Sequence, residues 1–323
     1  MPLPTSFTLN TGATIPAVGF GTWQAKPHEV ERAVEIALKA GYKHIDGAAI
    51  YRNEAEVGAG IKASGVPRED IFITGKLWNT KHDPKDVESA LDKTLNDLGT
   101  TYVDLYLMHW PCAFKSSEKW FPLDDDGVFE LADIDPAVTY KAMEALLSTG
   151  KVRAIGVCNF NERRLADLLS KTTVIPAVNQ IEAHPYLQQP QLLEFCSSKN
   201  ILVQAYSPLG NNQVGLPKVV DDPVVQDLAK GLGVDAGQLL YSWGLQRGTV
   251  VLPKSVTPSR IESNLQVKEI PSEVFEKLNA LERHKRFNGC AHWGFDIFEE
   301  LGQEEVTRIA REAGPENLKK FTV

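Results

Sequence analysis

The sequence predicts an α/β chain folded as a single closed (β/α)8 TIM barrel, with an N-terminal β-hairpin and long loops on the C-terminal face of the strands. Three observations predict it. Short apolar runs alternate with amphipathic helical stretches until eight strands have been counted. The length of 323 residues suits a barrel of about 250 residues plus insertions. No linker divides the chain, so residues 1–323 read as one domain. An open doubly wound sheet is the competing architecture. It usually has fewer strands, and it would want a break between two halves.

The elements follow in order. FTLN and ATIPAV flank Asn10-Thr11-Gly12, a hairpin turn. AVGFG is the first barrel strand. A helix from about Pro27 to Ala40 follows, with Val30, Ala33, Val34, Ala37 and Leu38 on one side and Gly41 as its stop. YKHID is a strand and NEAEVGAGIKAS a helix; IFITGKL is the next strand. Asp83-Pro84 then opens a helix that Gly99 ends: Asp83 is an N-cap, Pro84 suits the first helical position, and Asp86 favours the positive helix end. VDLYLMH is followed by a long loop, 110–135, carrying Asp124, Asp125 and Asp126, and Asp135-Pro136 opens the next helix in the same manner. KVRAIGVCN with NERRLADLLS, AVNQIE with a helix after Pro190, and ILVQAYS continue the alternation. A second long loop spans 207–223, with Pro208, Gly210, Asn211, Asn212, Gly215 and Pro217. A helix over about 235–247, the strand TVVLP and a helix after Pro258 close the cycle. One more helix and a tail over about 283–323 remain.

Lys plus Arg number 34 and Asp plus Glu 42, a net charge of −8, which disfavours a general nucleic-acid or anionic-membrane surface but not a local basic pocket. No basic segment with a long apolar run starts the chain, and no stretch is apolar enough to span a bilayer. Cys112, Cys158, Cys196 and Cys290 form no CxxC pair, so neither a disulfide framework nor a metal site is expected. These features point to a cytoplasmic protein with reduced thiols.

In such a barrel, chemistry belongs at the C-terminal ends of the strands. The polar residues closing the strand runs are Asp46, Lys76, His109, Asn159, Gln180 and Tyr206; Lys254 follows the eighth run, and Tyr51 lies five residues past Asp46. Buried charge needs a partner, and Asp46 and Lys76 end neighbouring strands. A Tyr51 hydroxyl beside that ammonium would lose its proton more easily, and His109 could share or orient the same proton. The result is a phenol able to exchange a proton at a substrate oxygen. Taken singly, each residue has a plainer reading: Asp46 as a helix cap, Lys76 as a surface lysine, His109 as a core histidine, Tyr51 as a surface-to-core residue. Their register at successive strand ends favours a site. Neither G-x-S-x-G nor H-E-x-x-H is present.

The segment VLPKSVTPSRIESN, 251–264, combines Lys254, Ser255, Arg260 and Asn264 around a helix start, a place for a phosphate. Two loose G-x-G-x-x-A matches, at 58–63 and 231–236, link no strand to a helix start and carry no dinucleotide fingerprint. A nicotinamide would have to be held otherwise. Tyr206 could stack on a flat ring, while Asn159 and Gln180 could bond a carboxamide; a plain core or rim role for these three stays open.

Together these residues resemble the aldo-keto reductase family. The likeness is carried by H-I-D at 44–46, Y-R-N-E at 51–54, K-L-W-N at 76–79, L-M-H-W-P at 107–111 and G-V-C-N-F at 156–160. N-Q-I-E-A-H-P at 179–185, A-Y-S-P-L-G at 205–210 and P-K-S-V-T at 253–257 extend it over nearly the whole chain. The resemblance implies an NADP(H)-dependent enzyme that reduces carbonyls reversibly. Tyr51 would be the proton donor, Asp46 with Lys76 would lower its pKa, and His109 would orient the carbonyl. Asn159, Gln180 and Cys158 would face the carboxamide, and Tyr206 would stack on the ring. Thr22, Trp23, Asp46, Ser207 and Leu209 would border the cofactor. Lys254, Ser255 and Arg260 would take its 2′-phosphate, with Asn264 at the adenine. Four positions depart from the common pattern: Gly47, Gly75, Cys158 and Ser263. Gly75 is expected to deprive Lys76 of a polar neighbour, and Cys158 to weaken one cofactor hydrogen bond.

Trp23, Trp78, Trp110, Phe121 and Trp293 are the expected substrate walls, with Trp120 and the Cys290–Trp293 tail closing the pocket. N-Q-I-E-A-H-P, the Gly-Asn-Asn turn at 210–212 and H-W-G-F-D-I-F resemble fungal NADP-dependent glycerol dehydrogenases or glyceraldehyde reductases. Small polyols and their aldehydes are the leading substrates on that likeness; pentoses, hexuronates and a broad range of aldehydes are alternatives. A monomer, or at most a weak dimer, is expected. The competing functional class is a non-catalytic cofactor-binding regulatory subunit, and a third is a barrel hydrolase or isomerase, which would need no nicotinamide.

Overall fold

The structure, a computed structural model, describes residues 2–210 and 217–321. Asn211, Asn212 and Gly215 of the second loop lie outside the described residues. The chain opens with a hairpin of β1 (Ser6–Thr8) and β2 (Thr14–Pro16), turned at Gly12, whose φ of 83° suits glycine. Then come β3 (Phe20–Gly21), α1 (Val30–Ala40), β4 (His44–Asp46), α2 (Glu54–Ser64), β5 (Phe72–Leu77), α3 (Pro84–Leu98) and β6 (Leu105–Met108). A small antiparallel pair, β7 (Ala113–Phe114) and β8 (Leu131–Ala132), organises the first long loop. The cycle resumes with α4 (Pro136–Leu146), β9 (Ile155–Cys158), α5 (Glu162–Lys171), β10 (Val178–Glu182), α6 (Pro190–Ser198) and β11 (Leu202–Tyr206). It ends with α7 (Pro223–Leu232), α8 (Ala236–Gln246), β12 (Val250–Val251), α9 (Pro258–Ser263), α10 (Ser272–Asn279) and α11 (Gln303–Phe321).

Eight parallel strands run in the order β3, β4, β5, β6, β9, β10, β11, β12. The seam between the last and the first is closed by the parallel bridge Val18–Val251 and by amides of Gly19 and Gly21 donating to Val251 O and Pro253 O, both at 2.9 Å. The expected barrel is therefore the observed one. Strand parity sorts the side chains. Leu105 and Leu107 pack inside with Phe72, Val178 and Val250, above the hairpin's Ile15. Their neighbours Tyr106 and Met108 face the helices with Ile73, Leu77 and Ile155.

The helix starts follow local chemistry. Asp83 and Asp135 accept from the amides of Lys85 and Ala137 at 3.2 and 2.9 Å. Removing that acceptor in Asp135→Ala is expected to cost about 1 kcal/mol in chemical denaturation, and Asp135→Asn should keep most of it. α7 is not among the expected helices. Its start is a third Asp-Pro pair, Asp222-Pro223, with Asp222 accepting from Val224 N at 2.8 Å. The first helix starts three residues later than expected, and α11 occupies the expected tail.

One acid of α2 is held in an unusual state. Glu54 is buried and bonded by Thr94 Oγ1 at 3.1 Å, and burial raises its pKa from 4.5 to about 7 against the pull of that hydroxyl. The folded state then binds the proton more tightly than the unfolded one, so stability falls as pH rises from 4.5 to about 7. Glu54→Gln should remove that slope and stabilise the protein above pH 7 by up to about 3 kcal/mol, read from melting curves against pH.

Candidate active site

The parity that fills the barrel with leucines also sets its open end. Asp46, Lys76, His109, Cys158, Gln180 and Tyr206 share the inward phase of their strands, and each lies within two residues of its strand's C-terminal end. Lys76, fully buried, sends its ammonium to Asp46 Oδ1 at 2.5 Å, Gly47 O at 2.8 Å and the Tyr51 hydroxyl at 3.4 Å. Tyr51 arrives on a single 3-10 turn, Ala49–Tyr51, that follows β4. Its ring lies 5.8 Å from that of His109, edge to face. The four expected groups therefore meet at one point.

The electrostatics correct one expectation. Burial pushes the Tyr51 phenol up to about 12, although the Lys76 ammonium pulls it down. Desolvation wins, and Tyr51 is a protonated donor at neutral pH. Burial also works against the Lys76 charge, but Asp46, helped by Tyr51 and Cys158, outweighs it and holds the ammonium above its ordinary value. Burial, with the Lys76 charge and His82 adding, holds His109 well below the usual histidine range, so it is neutral. Its Nδ1 is enclosed, leaving Nε2 as the nitrogen that can face a ligand.

Around this centre the amides are already engaged. Gln180 Nε2 donates to Asp46 Oδ2 at 2.7 Å and to Gln204 Oε1 at 2.9 Å. Asn159 Nδ2 donates to His109 O at 2.9 Å, and Tyr206 OH donates to Asn159 Oδ1 at 2.7 Å. Gln180 Oε1 and the second Asn159 N–H remain, an acceptor and a donor such as a carboxamide needs. Asn159 takes a φ of 65°, which aims its amide across the strand ends. Gln204 and Asn53, whose Nδ2 holds Thr22 O at 2.9 Å, were not expected here. Gln204 had a visible signal: a polar residue in the middle of an apolar strand, in register with Gln180. Thr22 in turn donates to Asp46 O at 2.9 Å.

The departures resolve in different ways. Gly75 points away from the barrel: a Cβ there would meet Thr94 and Tyr106 at 3.4 Å, so the residue has no bearing on the Lys76 head. Gly47 contributes only its carbonyl. Cys158 faces inward, and burial keeps its thiol protonated. Ser263 turns its hydroxyl back to Arg260 O at 3.4 Å.

On the far rim, Lys254 donates to Gln24 O at 3.1 Å, and neither it nor Arg260 is in an ion pair among the described residues. Ser255 lies beside them and Asn264 caps the end of α9. Two cations outside any ion pair among the described residues suit a phosphate, so the residues present fit NADP(H). Ser207, with φ 50°, and the half-buried Leu209 border the same end of β11.

An aromatic wall flanks Tyr51 and His109. Trp23, 42% exposed, lies 4.8 Å from the Tyr51 ring and marks the mouth. Trp78 packs on His109 at 5.5 Å and Phe121 at 5.5 Å, and its Nε1 is held by Trp120 O at 2.7 Å. Trp293, from the tail, meets Trp110 at 5.0 Å and Trp78 at 6.0 Å.

Residues 17–283 match the aldo/keto reductase family. The chain belongs to it. It is an NADP-linked oxidoreductase acting on carbonyl compounds. Similar proteins include aldo-keto reductase family 1 member A1 of Cricetulus griseus, 46% identical over 86% of this chain and 90% of the relative, and that of Homo sapiens, 45% identical over the same shares. An uncharacterised oxidoreductase of Schizosaccharomyces pombe is 47% identical over 90% of this chain and 93% of its own. Among solved structures, the aldose reductase from Schistosoma japonicum superposes with a TM-score of 0.86 at 37% identity, covering 93% of this chain and 99% of the other. These relatives overturn the expected likeness to fungal glycerol dehydrogenases and glyceraldehyde reductases: the similarity runs to aldo-keto reductase family 1 member A1 and to an aldose reductase. Of the motifs that suggested the fungal enzymes, N-Q-I-E-A-H-P begins on the barrel strand β10, and Asn211-Asn212 lie outside the described residues. No helix among the described residues is long and apolar enough to cross a membrane.

Proposed function

We propose that this aldo-keto reductase reduces polyhydroxylated aldehydes of the aldose type to alcohols with NADPH. The observation that carries the reading is the buried Lys76 ammonium placed 2.5 Å from Asp46 and 3.4 Å from the Tyr51 hydroxyl. NADPH, when bound, supplies the hydride that reduces the carbonyl carbon. Tyr51 gives its proton to the carbonyl oxygen, and the phenolate left behind is stabilised by the ammonium beside it. Neutral His109 donates an N–H to the same oxygen and fixes its direction. Asp46 keeps Lys76 charged throughout. The same groups run in reverse for alcohol oxidation.

Asn159 and Gln180 would hold the carboxamide, Tyr206 would stack on the ring, and Lys254, Ser255 and Arg260 would hold the 2′-phosphate. Arg260→Leu should then weaken NADPH binding by about 10–100-fold and leave NADH binding unchanged, measured by fluorescence titration. An equal loss for both cofactors would remove Arg260 from the phosphate site.

The aldose class rests on the name of the Schistosoma relative, which as an aldose reductase acts on aldoses. Trp23, Trp78, Trp110, Phe121 and Trp293 would form the walls against which such a substrate packs. The four assembled groups argue against a regulatory subunit without turnover. The site is complete within one chain, which accords with a monomer, and four free cysteines accord with a reducing cytoplasmic setting. The test is NADPH oxidation over glyceraldehyde, pentoses, uronates and aromatic aldehydes. Turnover is expected with the aldoses; consumption only with aromatic aldehydes would sink the substrate class, and none at all the activity.

A further inference from the structure

The N-Q-I-E-A-H-P segment contains a buried acid that the reaction above does not use. Glu182 is fully buried at the end of β10, two residues beyond Gln180 and in register with Tyr206. Every strong acceptor direction of its carboxylate is taken. Oε1 accepts from Phe287 N at 2.8 Å and lies 2.8 Å from His184 Nε2. Oε2 accepts from Asn288 N and Asn288 Nδ2, both at 2.9 Å. Burial alone would raise this acid, but His184 and these donors hold it below its ordinary value, as a carboxylate.

Three of the four partners belong to the tail, not to the barrel. Five residues past Asn288, Trp293 enters the aromatic wall beside Trp110 and Trp78. Between the two lie Gly289, Cys290 with a φ of 53°, and a 3-10 turn over Ala291–Trp293. Beyond Trp293 the tail is held again, by Arg164, whose Nη2 and Nε donate to Asp296 O and Ile297 O, both at 2.8 Å. The pocket's outer wall is thus a short strap pinned on both sides of Trp293, by Glu182 before it and after it by Arg164 and by Gln303, whose Nε2 donates to Gly294 O at 3.0 Å. One pin is a charge on the same strand as a cofactor-side residue.

We propose that Glu182 is a positioning residue for substrate: its carboxylate clamps the Phe287–Asn288 backbone and so sets the depth at which Trp293 enters the pocket. A glutamine has the same size but turns an NH2 donor toward backbone donors, which loosens the clamp without opening a cavity. The strap touches the substrate side, while the groups that move the proton sit on other strands. The clamp should therefore govern substrate affinity more than chemistry or cofactor binding.

The proposal rests on the aldehyde-reductase reading, and its test separates the two. In wild type, Glu182→Gln and Asn288→Ala, kcat, KM for glyceraldehyde, NADPH affinity and the rate of Cys290 labelling by a thiol reagent are measured together. Cys290 is the one cysteine of the four that is only partly buried, and burial still pushes its thiol up, so faster labelling reports a loosened strap with no turnover needed. For Glu182→Gln, KM is expected to rise about tenfold, with kcat and NADPH affinity within about twofold, and Cys290 to react about tenfold faster. Asn288→Ala, which removes one side-chain donor, should move both readouts the same way by less, and the double variant should fall short of the product of the two. Unchanged KM and labelling in a folded Glu182→Gln variant overturn the clamp. So does a loss shared equally by kcat and NADPH affinity. If Glu182→Gln fails to fold, Asn288→Ala decides alone, and wild-type KM and labelling there overturn the proposal. Absence of turnover in the wild type would instead overturn the reductase reading, while the labelling comparison still judges the clamp.

Discussion

Tyr51→Phe is expected to lower kcat for aldehyde reduction by about a thousandfold or more while leaving NADPH affinity within about twofold. The substitution removes one oxygen and little else. The ring keeps its packing on Trp23 at 4.8 Å and His109 at 5.8 Å, so the pocket wall stands. What is lost is the hydroxyl, and its proton, whose oxygen lies 3.4 Å from the Lys76 ammonium. Because burial pushes the phenol up to about 12, wild-type Tyr51 carries its proton throughout the neutral range. Its own ionisation should therefore put no break in the reduction profile between pH 6 and 9. Steady-state kinetics and a fluorescence titration settle it: near-normal kcat in the variant would remove Tyr51 from the chemistry.

Lys76→Met should cost both activity and stability. It leaves the Asp46 carboxylate and the Gly47 carbonyl without their cation in a site where Asp46 is 3% exposed. An orphaned buried charge is worth about 3–5 kcal/mol, or roughly 4–7 °C in Tm for a domain of this size. Adding Asp46→Leu should restore much of the stability and none of the activity. Failure of the double variant to recover would show that the pair is not an isolated electrostatic unit. The pH dependence has a definite sign. The folded state holds Lys76 above its ordinary 10.5, so the pair's contribution is complete below that value and fades only as pH rises through the folded one.

Much of this architecture was legible because two simple rules act together. Alternation fixes which residues face inward, and the end of each apolar run fixes the height at which they sit. Asp46, Lys76, His109, Gln180 and Tyr206 could be placed on one rim from those rules alone. The same parity could have shown that Gly75 turns its back on Lys76, since the two are adjacent in one strand. The sign of the Tyr51 shift was not legible, because it depends on how much water the fold excludes. Nor was the prior engagement of Asn159 and Gln180, which is a matter of side-chain geometry. α7 went unseen because Asp222-Pro223 sits at the edge of a turn-rich loop, although the pair is the same signal that opened α3 and α4. Glu182 could be read as a strand end but not as a clamp, since its tail partners lie more than a hundred positions downstream.

The seam that joins Ala17–Gly21 to Val251–Pro253 has a consequence for how the molecule comes into being. The first strand it contains waits for the last, and Lys254 reaches across to the Gln24 carbonyl at 3.1 Å. A chain still emerging from the ribosome with 240 residues made would carry Asp46, Tyr51, Lys76 and His109 yet possess neither the closing strand nor the basic rim. Truncation anywhere before residue 250 should yield an insoluble or protease-labile fragment, not a weaker catalyst.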